Sequence, residues 1–396
     1  MQSSALRNRN FLTYLIGNTI SLHGLWVYRV ALGWSAWQLT ESEFWVGLVA
    51  FTQFFPVMLF GPLFGVLADR FNRRLASLLI NSLSTGNMLL LSVLAASDDF
   101  NITVLVLPAF IQGVLDSAHM PVRMSLVANL VPKIQLQSAI ASTSIAFNLS
   151  RFSGPVIAGL IITVSGVAAA FITNAVSYLA ILGALLMVRQ LRENRPESRH
   201  KHIGKELREG FLYVIHHKSI RLLLIVIAIA SVFGRGSLEM LPPFADAVFH
   251  RGSGALAMLT SAIGAGAIAG GVLLSRGTAW LNTGIVIGGT IAGGIMISVF
   301  AMLENFWLAL PVVALLGMVL SLCGVGSQIL LQSLVDDEIR GRVSGLWGMV
   351  AFGGTAFGGL LIGTVARLYG LTNTILLAGL SCAVLAGIVA WRRHYP

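Results

Sequence analysis

The sequence predicts an all-α membrane protein whose helices cross the bilayer twelve times, in two pseudo-symmetric six-helix halves. Of its 396 residues, 56% are hydrophobic and only 11% are charged. The mean hydropathy is +0.82, so the chain has more apolar surface than a soluble core of this length can bury. Apolar stretches recur at about the 20 residues that a helix needs to cross a bilayer. Helices are predicted because an open sheet in lipid would leave the backbone groups of its edges unpaired.

The predicted spans follow one another with short polar connections. The first is interpreted as a retained helix and not a cleaved signal, because it is long, carries Arg29 and lacks a small-residue cleavage site at a suitable distance. Cys323 and Cys382 fall inside spans, where they are interpreted as small apolar fillers. The predicted spans are residues 11–37, 44–67, 75–96, 103–123, 137–163, 167–188, 219–248, 254–275, 280–303, 306–332, 343–368 and 372–391.

The longest polar interval separates six spans from six. It predicts an N-terminal six-helix half at 1–188, a basic cytoplasmic linker at 189–218 and a C-terminal six-helix half at 219–396. Four histidines lie in the linker, but no thiolate accompanies them, so we interpret them as solvated side chains. We expect neither a metal nor another cofactor.

An internal duplication relates the two halves. At an offset of 204 residues, the fifth and sixth spans match the eleventh and twelfth, and at an offset of 206 the segment GVLLSR at 271–276 matches GVLADR at 65–70. Two such repeats predict a bundle with a cavity at their interface, which suits alternating access. The glycine pairs at the offset of 204 are Gly154 with Gly358, Gly159 with Gly363, and Gly166 with Gly370.

The distribution of cations predicts the orientation. If the N-terminus is cytoplasmic, 21 of the 26 Lys and Arg residues lie in segments on the inner side. This positive-inside bias places both termini in the cytoplasm. The net charge of +10 therefore reflects membrane orientation, and we expect no nucleic-acid partner.

Three motifs carry a resemblance to a known family. GVLADRFNRR at 65–74 resembles the loop signature of the major facilitator superfamily between the second and third spans, with Asn72 in place of the usual glycine. NLSRFSGPVIAGL at 148–160 is similar to the fifth-span signature of exporters in that family. RNRNFLTYLIGNTISLHG near the start and DDEIRGRVSGLWGM at 336–349 resemble the branch of enterobactin exporters and macrolide-efflux proteins. The fourth-span signature of proton-coupled members is reduced to Gln112 and Gly113, since Ala109 replaces its arginine.

The resemblance implies a gate at the loop between the second and third spans. There Asp69 would offer its carboxylate to the N-terminus of the eleventh span, in the other half, when the cytoplasmic side closes. Gly65 would let the helices approach, and Arg70 and Arg73 would contribute charge; the alternative is that these cations only fix the topology. In the fifth span, Gly154 and Pro155 are either hinge residues or permit tight packing.

Five charged residues lie inside predicted spans. A charge at the bilayer centre costs at least about 2.5–3.5 kcal/mol, so it normally faces a partner or a wet cavity. Arg29, Arg151 and Arg235 are candidate ligands of a substrate anion, because a guanidinium matches a carboxylate well. Asp116 and Glu239 are candidate proton carriers. Static ion pairing between these acids and arginines is the alternative.

Two amides complete the predicted site. Asn148 lies one turn before the arginine of the fifth span, and Gln328 lies in the tenth span. Both are candidates for lining the cavity, although polar packing between helices explains them almost as well.

These features favour a secondary exporter of a small anionic amphiphile, such as a siderophore, in exchange for protons. The alternatives are efflux of hydrophobic drugs such as macrolides, and an uptake permease of the same fold. No HExxH, GxSxG or facing aspartate pair favours an enzyme, so no catalytic residue is assigned. No GxxxxGK[ST] motif indicates ATP as the energy source. We expect a monomer in the cytoplasmic membrane, with substrate, protons and lipid as its partners.

Overall fold

The computed structural model describes residues 4–68, 72–188, 203–336 and 339–394. Within these ranges the chain forms helices and no strands. The first half contains α1 (Arg9–Thr40), α2 (Glu43–Ala68), α3 (Arg73–Ala95), α4 (Ile102–Leu130) and α5 (Leu136–Met187). The linker helix and the second half contain α6 (Ile203–His216), α7 (Lys218–Ile229), α8 (Gly236–Leu238), α9 (Leu241–Pro243), α10 (Gly252–Ser275), α11 (Thr283–Ala301), α12 (Phe306–Leu334), α13 (Arg340–Tyr369) and α14 (Leu371–His394).

Twelve membrane crossings result from these elements. Ten segments of the described chain are long and apolar enough to span a bilayer. One of them, α5, consists of two arms, at 136–165 and 167–187, because Gly166 between them has non-helical backbone angles. The more polar α1 adds the remaining crossing and packs along α5. The predicted fold class is confirmed.

The seventh span differs from the regular helix that the sequence predicts. After α7 the backbone widens into a π-helical turn at Ala230–Arg235, continues through α8 and α9, and widens again at Phe244–Val248. Gly234 lies within the first wide turn and Gly236 follows it. Pro242 and Pro243 precede the second wide turn, and each proline removes a backbone donor. The four-residue spacing of Arg235 and Glu239 therefore does not correspond to one turn of a continuous α-helix.

The glycine pairs at the offset of 204 residues have equivalent surroundings. Gly166 and Gly370 both have positive φ, 78° and 85°, and each ends a long helix before the final crossing of its half. A Cβ on Gly154 would lie 2.5 Å from Cβ of Trp26 on α1, and one on Gly358 would contact the backbone of the first wide turn in the seventh span. Each glycine thus packs against the first span of its own half.

The next pair joins the halves to each other. A Cβ on Gly159 would contact Ala257 on α10, and a Cβ on Gly363 would contact the Glu43 carbonyl on α2. Gly159 lies on α5 and meets the second span of the second half, and Gly363 lies on α13 and meets the second span of the first half. The two interfaces are therefore related by the duplication. Only a residue without a side chain fits at these contacts.

The halves are in contact on one side of the membrane. We call the side where α1 begins and α14 ends the terminal side, and the other the distal side. On the distal side, the Trp37 indole Nε1 donates to Oδ2 of Asp246 over 2.9 Å, and the hydroxyls of Thr163 and Ser253 are 3.4 Å apart. Both contacts join the first half to the second.

On the terminal side, the glycines of α2 and α13 make no close contact. A Cβ built on Gly61 or Gly65 of α2, or on Gly345 or Gly348 of α13, meets no described atom within 4 Å. Leu59 of α2 is 51% exposed. The close glycine contacts between α2 and α13 therefore lie on the distal side and as far as Met58 and Gly353, and none occurs at these four positions on the terminal side.

Candidate transport site

The intramembrane charged side chains of both halves gather at the interface between them. All five are half-buried. The Arg151 carbonyl would lie 2.7 Å from a Cβ on Gly264 of α10, so Arg151 stands where α5 meets the second half. Glu239 packs against Gly359 of α13, and Gly359 also contacts α2 of the first half.

Trp26 organises two of the arginines. The Arg29 guanidinium carbon is 5.1 Å from the centre of the Trp26 ring, and that of Arg151 is 5.8 Å from it. Arg29 is also 5.6 Å from the Phe54 ring on α2. These cation–π contacts position the guanidinium groups without neutralising them, so both groups keep hydrogen-bond donors for another ligand.

The third arginine approaches from the second half. Nη2 of Arg235 would lie 2.7 Å from a Cβ on Gly324 of α12, and the absence of a side chain there gives the guanidinium its place. Arg235 and Arg29 both repel Arg151 electrostatically. Two like charges that act on Arg151 give its surroundings at the interface a positive potential.

The two acids share the field of Arg29. The charge of this arginine acts on Asp116 in the first half and on Glu239 in the second. Between described residues, however, none of the five charged groups forms an ion pair within 4 Å. The static ion pairs that the sequence left open, Arg29 with Asp116 and Arg235 with Glu239, are therefore not formed in this conformation.

A buried polar network holds Asp116. Gln112, 1% exposed, donates through Nε2 to Oδ1 of Asp116 over 3.0 Å. The same nitrogen lies 3.2 Å from the Tyr178 hydroxyl and 3.4 Å from that of Ser84. Asn87 donates to Oε1 of Gln112 over 3.3 Å. Helices α3 and α4 and the second arm of α5 thus hold the Gln112 amide, and this amide is the group that bonds to the Asp116 carboxylate.

The two predicted amides are less directly involved. Asn148 donates to the Ser144 carbonyl over 2.9 Å, so in this conformation its side-chain amide forms a hydrogen bond within its own helix. Gln328 is half-buried on α12, one turn from the glycine that contacts Arg235.

The predicted gate is partly visible. Asp69 and Arg70 lie outside the described residues. Gly65 makes no close helix contact, and Arg73 begins α3. The neighbouring Arg74 donates to the Leu186 carbonyl over 3.0 Å, within its own half.

In the fifth span, α5 stays helical around Gly154 and Pro155. Both residues are buried. The non-helical residue in α5 is Gly166, so the backbone changes direction twelve residues after Gly154. Tight packing accounts for Gly154, which contacts Trp26.

Sequence reasoning missed three polar side chains that the structure makes prominent. His23 of α1 contacts α5 through both ring nitrogens, at the hydroxyls of Ser150 and Ser153. Tyr178 joins the Asp116 network. Trp37 is 5% exposed and binds the opposite half. A titratable ring in the middle of an apolar span was a signal for His23, whereas the partners of the other two are distant in sequence.

The comparisons with known proteins agree with this architecture. The model of a family described as transmembrane secretion effectors matches residues 2–395. The staphyloferrin A transporter of Staphylococcus aureus is 22% identical over 90% of both chains. Macrolide efflux protein A of Streptococcus pyogenes is 22% identical over 93% of this chain and 92% of its own. The enterobactin exporter EntS of Citrobacter koseri is 24% identical over 89% and 84%, respectively.

Solved structures give the same fold. A bacterial homologue of the human lysosomal transporter Spinster, in an inward-facing and unoccupied conformation, superposes with a TM-score of 0.75 at 16% identity, over 98% of this chain and 97% of that one. Together with the family match over nearly every residue, the twelve crossings and the duplicated halves identify the class of protein. The chain belongs to the transmembrane secretion effectors of the major facilitator superfamily, and it is a multi-pass transporter of a bacterial cell membrane and not an enzyme.

Proposed function

We propose that this protein is a secondary active exporter of a small anionic amphiphile, driven by proton entry and working as a monomer. The observation that carries the proposal is the cluster of Arg29, Arg151 and Arg235 at the interface of the halves, with two acids nearby and no ion pair within 4 Å among the described residues. Three cations and two acids leave one positive charge uncompensated. A substrate anion would neutralise it, which relieves the cost of a charge in the membrane.

The orientation that the cation distribution predicts gives this conformation a direction. If both termini are cytoplasmic, the terminal side, where α2 and α13 make no close glycine contact, is the cytoplasmic side. A substrate would then reach the arginines from inside the cell. Export follows when the α2–α13 interface closes at Gly65 and opens at Gly363, which is the alternating access that duplicated halves permit.

The loop after α2 would lock the opposite state. We propose that Asp69 binds the N-terminal end of α13 when the terminal side closes, where a carboxylate is favoured by the helix dipole. Arg70 and Arg73 would contribute to the same closed state.

The names of the relatives support the substrate class. Two of them are a staphyloferrin A transporter and an enterobactin exporter, so siderophores are the substrates we favour. The Trp26 and Phe54 rings beside Arg29 also suit a hydrophobic drug, and a macrolide efflux protein is among the relatives. An uptake permease of the same fold differs only in direction.

Asp116 and Glu239 are the proposed proton carriers. Arg29 acts on both, so a substrate anion that engages Arg29 weakens the hold of this cation on the two carboxylates. Substrate binding and protonation of the acids are thereby linked through a shared partner.

Comparing the small molecules inside and outside a deletion strain with those of its complemented parent by mass spectrometry tests the proposal. We expect one anionic solute to accumulate inside the deletion strain and to be exported again on complementation. Counterflow of that solute in inverted vesicles then establishes direction. A solute that is depleted inside the deletion strain would instead indicate uptake.

The anion-binding role is tested by replacing Arg29 or Arg151 with lysine. Lysine keeps the charge but lacks the planar fork that binds a carboxylate through two hydrogen bonds. We expect folded, inserted variants that bind the acidic solute about tenfold more weakly, from the loss of one charge-assisted hydrogen bond, and bind its neutral amide almost as wild type does.

Arg251 supplies a matched control. Its guanidinium carbon lies 5.2 Å from the Phe306 ring, on the distal side and away from the arginine cluster, so Arg251→Lys should leave both affinities unchanged. If wild type and the two site variants bind acid and amide equally, the site does not recognise an anion, and efflux of hydrophobic compounds becomes the better interpretation.

A further inference from the structure

The linker helix α6 has an apolar side that the rest of the described protein leaves exposed. Phe211 is 57% exposed, and Leu212 and Ile215 are exposed as well. Ile215 follows Phe211 by four residues and Leu212 by three, the spacings that place side chains on one helix face. The three side chains therefore form one surface, which we call the α6 patch. With 14 residues, α6 is too short to cross a bilayer, so a membrane crossing does not explain the patch.

A different side of α6 is attached to the second half. Val214 is buried in an apolar cluster that includes Val343 of α13. Oε2 of Glu209 lies 2.7 Å from Nη1 of Arg342, also on α13. A Cβ on Gly210 would lie 3.1 Å from Cβ of Arg342. These contacts fix the rotation of α6 about its axis, and the α6 patch faces away from the protein as a result.

The connection to α7 places the α6 patch at the surface of the membrane. Helix α6 ends at His216, and Lys218 begins both α7 and the seventh crossing, on the terminal side. The patch thus lies less than two helical turns before a crossing begins. Trp391, near the end of α14 on the same side, is exposed, and tryptophan is typical of the boundary between membrane and water. The α6 patch therefore lies near this boundary.

Two cations border the α6 patch. Lys218 and Arg221 are exposed. Nη1 of Arg221 donates to the Ile215 carbonyl oxygen over 2.9 Å, which holds the guanidinium against the end of α6 and next to the patch. Among the described residues, neither cation forms an ion pair within 4 Å. An exposed apolar surface and two uncompensated positive charges are thus adjacent at the junction of α6 and α7.

We propose that this junction is a docking surface for anionic phospholipid. The α6 patch enters the boundary between headgroups and acyl chains, and Lys218 and Arg221 bind the headgroup phosphate. The Arg221 guanidinium has further N–H groups beyond the one bonded to Ile215, and phosphate oxygens are strong acceptors for them. Apolar side chains beside Lys and Arg are typical of interfacial helices, whose binding combines buried apolar area with attraction to anionic lipid.

The partner is a lipid and not a soluble anion, because only a lipid also supplies acyl chains for the α6 patch. Docking of this kind goes beyond the proposed export. It depends neither on the identity of the substrate nor on the direction of transport.

The depth of the α6 patch is measured with a nitroxide on Leu212→Cys in the full-length protein, reconstituted in nanodiscs, with Cys323 and Cys382 replaced by alanine. Oxygen concentrates among acyl chains and a nickel chelate stays in water, so their relative effects on spin relaxation report depth. We expect oxygen to dominate at residue 212. The chelate should dominate at the control position Thr278, which is exposed in the terminal-side connection between α10 and α11.

Two results of the depth measurement would overturn the proposal. One is access of the chelate to residue 212 as good as to residue 278, which would mean that the α6 patch stays in water. The other is dipolar broadening between labels at residue 212 of two protein molecules, which would mean that a second copy of the chain covers the patch.

The role of lipid charge is tested by hydrogen–deuterium exchange of the α6 amides, without any label. The protein is compared in nanodiscs of phosphatidylcholine alone and of phosphatidylcholine mixed with phosphatidylglycerol. Each Lys or Arg at a membrane surface contributes about a fivefold preference for anionic lipid. We therefore expect phosphatidylglycerol to slow exchange about 25-fold in wild type, from two cations, and about fivefold in Lys218→Gln.

Arg276 supplies the matched control for lipid charge. It is exposed on the same side of the membrane but follows α10, so Arg276→Gln should leave the slowing in α6 unchanged. Inorganic phosphate added to phosphatidylcholine nanodiscs should not slow exchange, because it offers no acyl chains. No slowing by phosphatidylglycerol in wild type, equal slowing in wild type and Lys218→Gln, or the same slowing by inorganic phosphate would overturn the proposal, whatever the outcome of the transport assays.

Discussion

Replacing Trp37 by phenylalanine removes the donor of one hydrogen bond that joins the halves on the distal side. The indole Nε1 of Trp37 donates to Oδ2 of Asp246 over 2.9 Å. Trp37 is 5% exposed, whereas Asp246 is half-buried. Phenylalanine keeps most of the packed ring, so the substitution acts mainly on this bond.

The size of the effect follows from the partners. A hydrogen bond to a charged group contributes about 1.5–3 kcal/mol. Because the half-buried Asp246 carboxylate regains water when the bond is lost, the lower value applies. A loss of about 1.5 kcal/mol in the state closed on the distal side shifts the ratio of the two conformations about tenfold towards the state that is open there.

Distances between spin labels on Asp98 and Glu304 measure this shift. Both positions are exposed and lie in distal turns of opposite halves. The native Cys323 and Cys382 are buried and are replaced by alanine for labelling. We expect the population with the longer distance to increase about tenfold relative to the shorter one in Trp37→Phe.

Two controls separate the bond from the loss of ring area. Trp34→Phe alters a tryptophan of the same helix that also contacts the second half, at Gly252, but forms no hydrogen bond with a described residue, so its distances should change less. Asp246→Asn keeps a neutral acceptor and should produce an intermediate shift. The same distance distribution in wild type and Trp37→Phe would refute the claim that this hydrogen bond stabilises the state closed on the distal side.

Three further predictions follow from the fold and the network. Gly363→Ala places a methyl group against the Glu43 carbonyl and should favour the state open on the distal side in the same spin-label assay; Gly183→Ala, with open space around it, should not. Gln112→Leu strands buried polar partners and should destabilise the protein by about 1–3 kcal/mol in thermal unfolding, which an unchanged melting temperature would contradict. A cysteine at Asp98 should react with an impermeant thiol reagent from outside intact cells and one at position 197 should not; labelling at 197 would reverse the orientation.

Much of the fold could be predicted because the signals are local or periodic. Apolar length alone predicts nearly every crossing. The offset of 204 residues predicted that Gly166 and Gly370 are equivalent, and both have the left-handed backbone that glycine tolerates. The five intramembrane charges were conspicuous because hydrocarbon penalises charge.

The contacts that define the conformation were not predictable in this way. Trp37 and Asp246 are separated by 209 residues along the chain, and nothing in either local sequence specifies the other. The wide turns around Arg235 depend on how glycines and prolines pack in three dimensions. A small apolar residue such as Gly324 gave no indication that it makes room for a guanidinium. These features belong to pairs of helices and not to single segments.

The shared dependence of Asp116 and Glu239 on Arg29 leads to a prediction for the double variant. In Asp116→Asn, Oδ1 can still accept from Gln112, so the network survives while the charge is lost; Glu239→Gln likewise keeps the shape of its side chain. With both acids neutral, the net charge of the cluster rises from +1 to +3. At about 8 Å and an effective dielectric constant of about 20, each added charge contributes about 2 kcal/mol to anion binding.

Asp116→Asn and Glu239→Gln should therefore each increase the affinity for the anionic solute up to about thirtyfold. The double variant should increase this affinity further and release the solute more slowly. Proton-driven export should fall in both single variants, whereas exchange of solute for solute persists, because exchange needs no change in protonation. The neutral amide of the solute is the control, since its affinity should not respond to the added charge. Equal affinity for the anionic solute in wild type and in the double variant would mean that Asp116 and Glu239 do not act on the binding site. Export on an imposed pH gradient by both single variants would mean that another residue couples transport to protons.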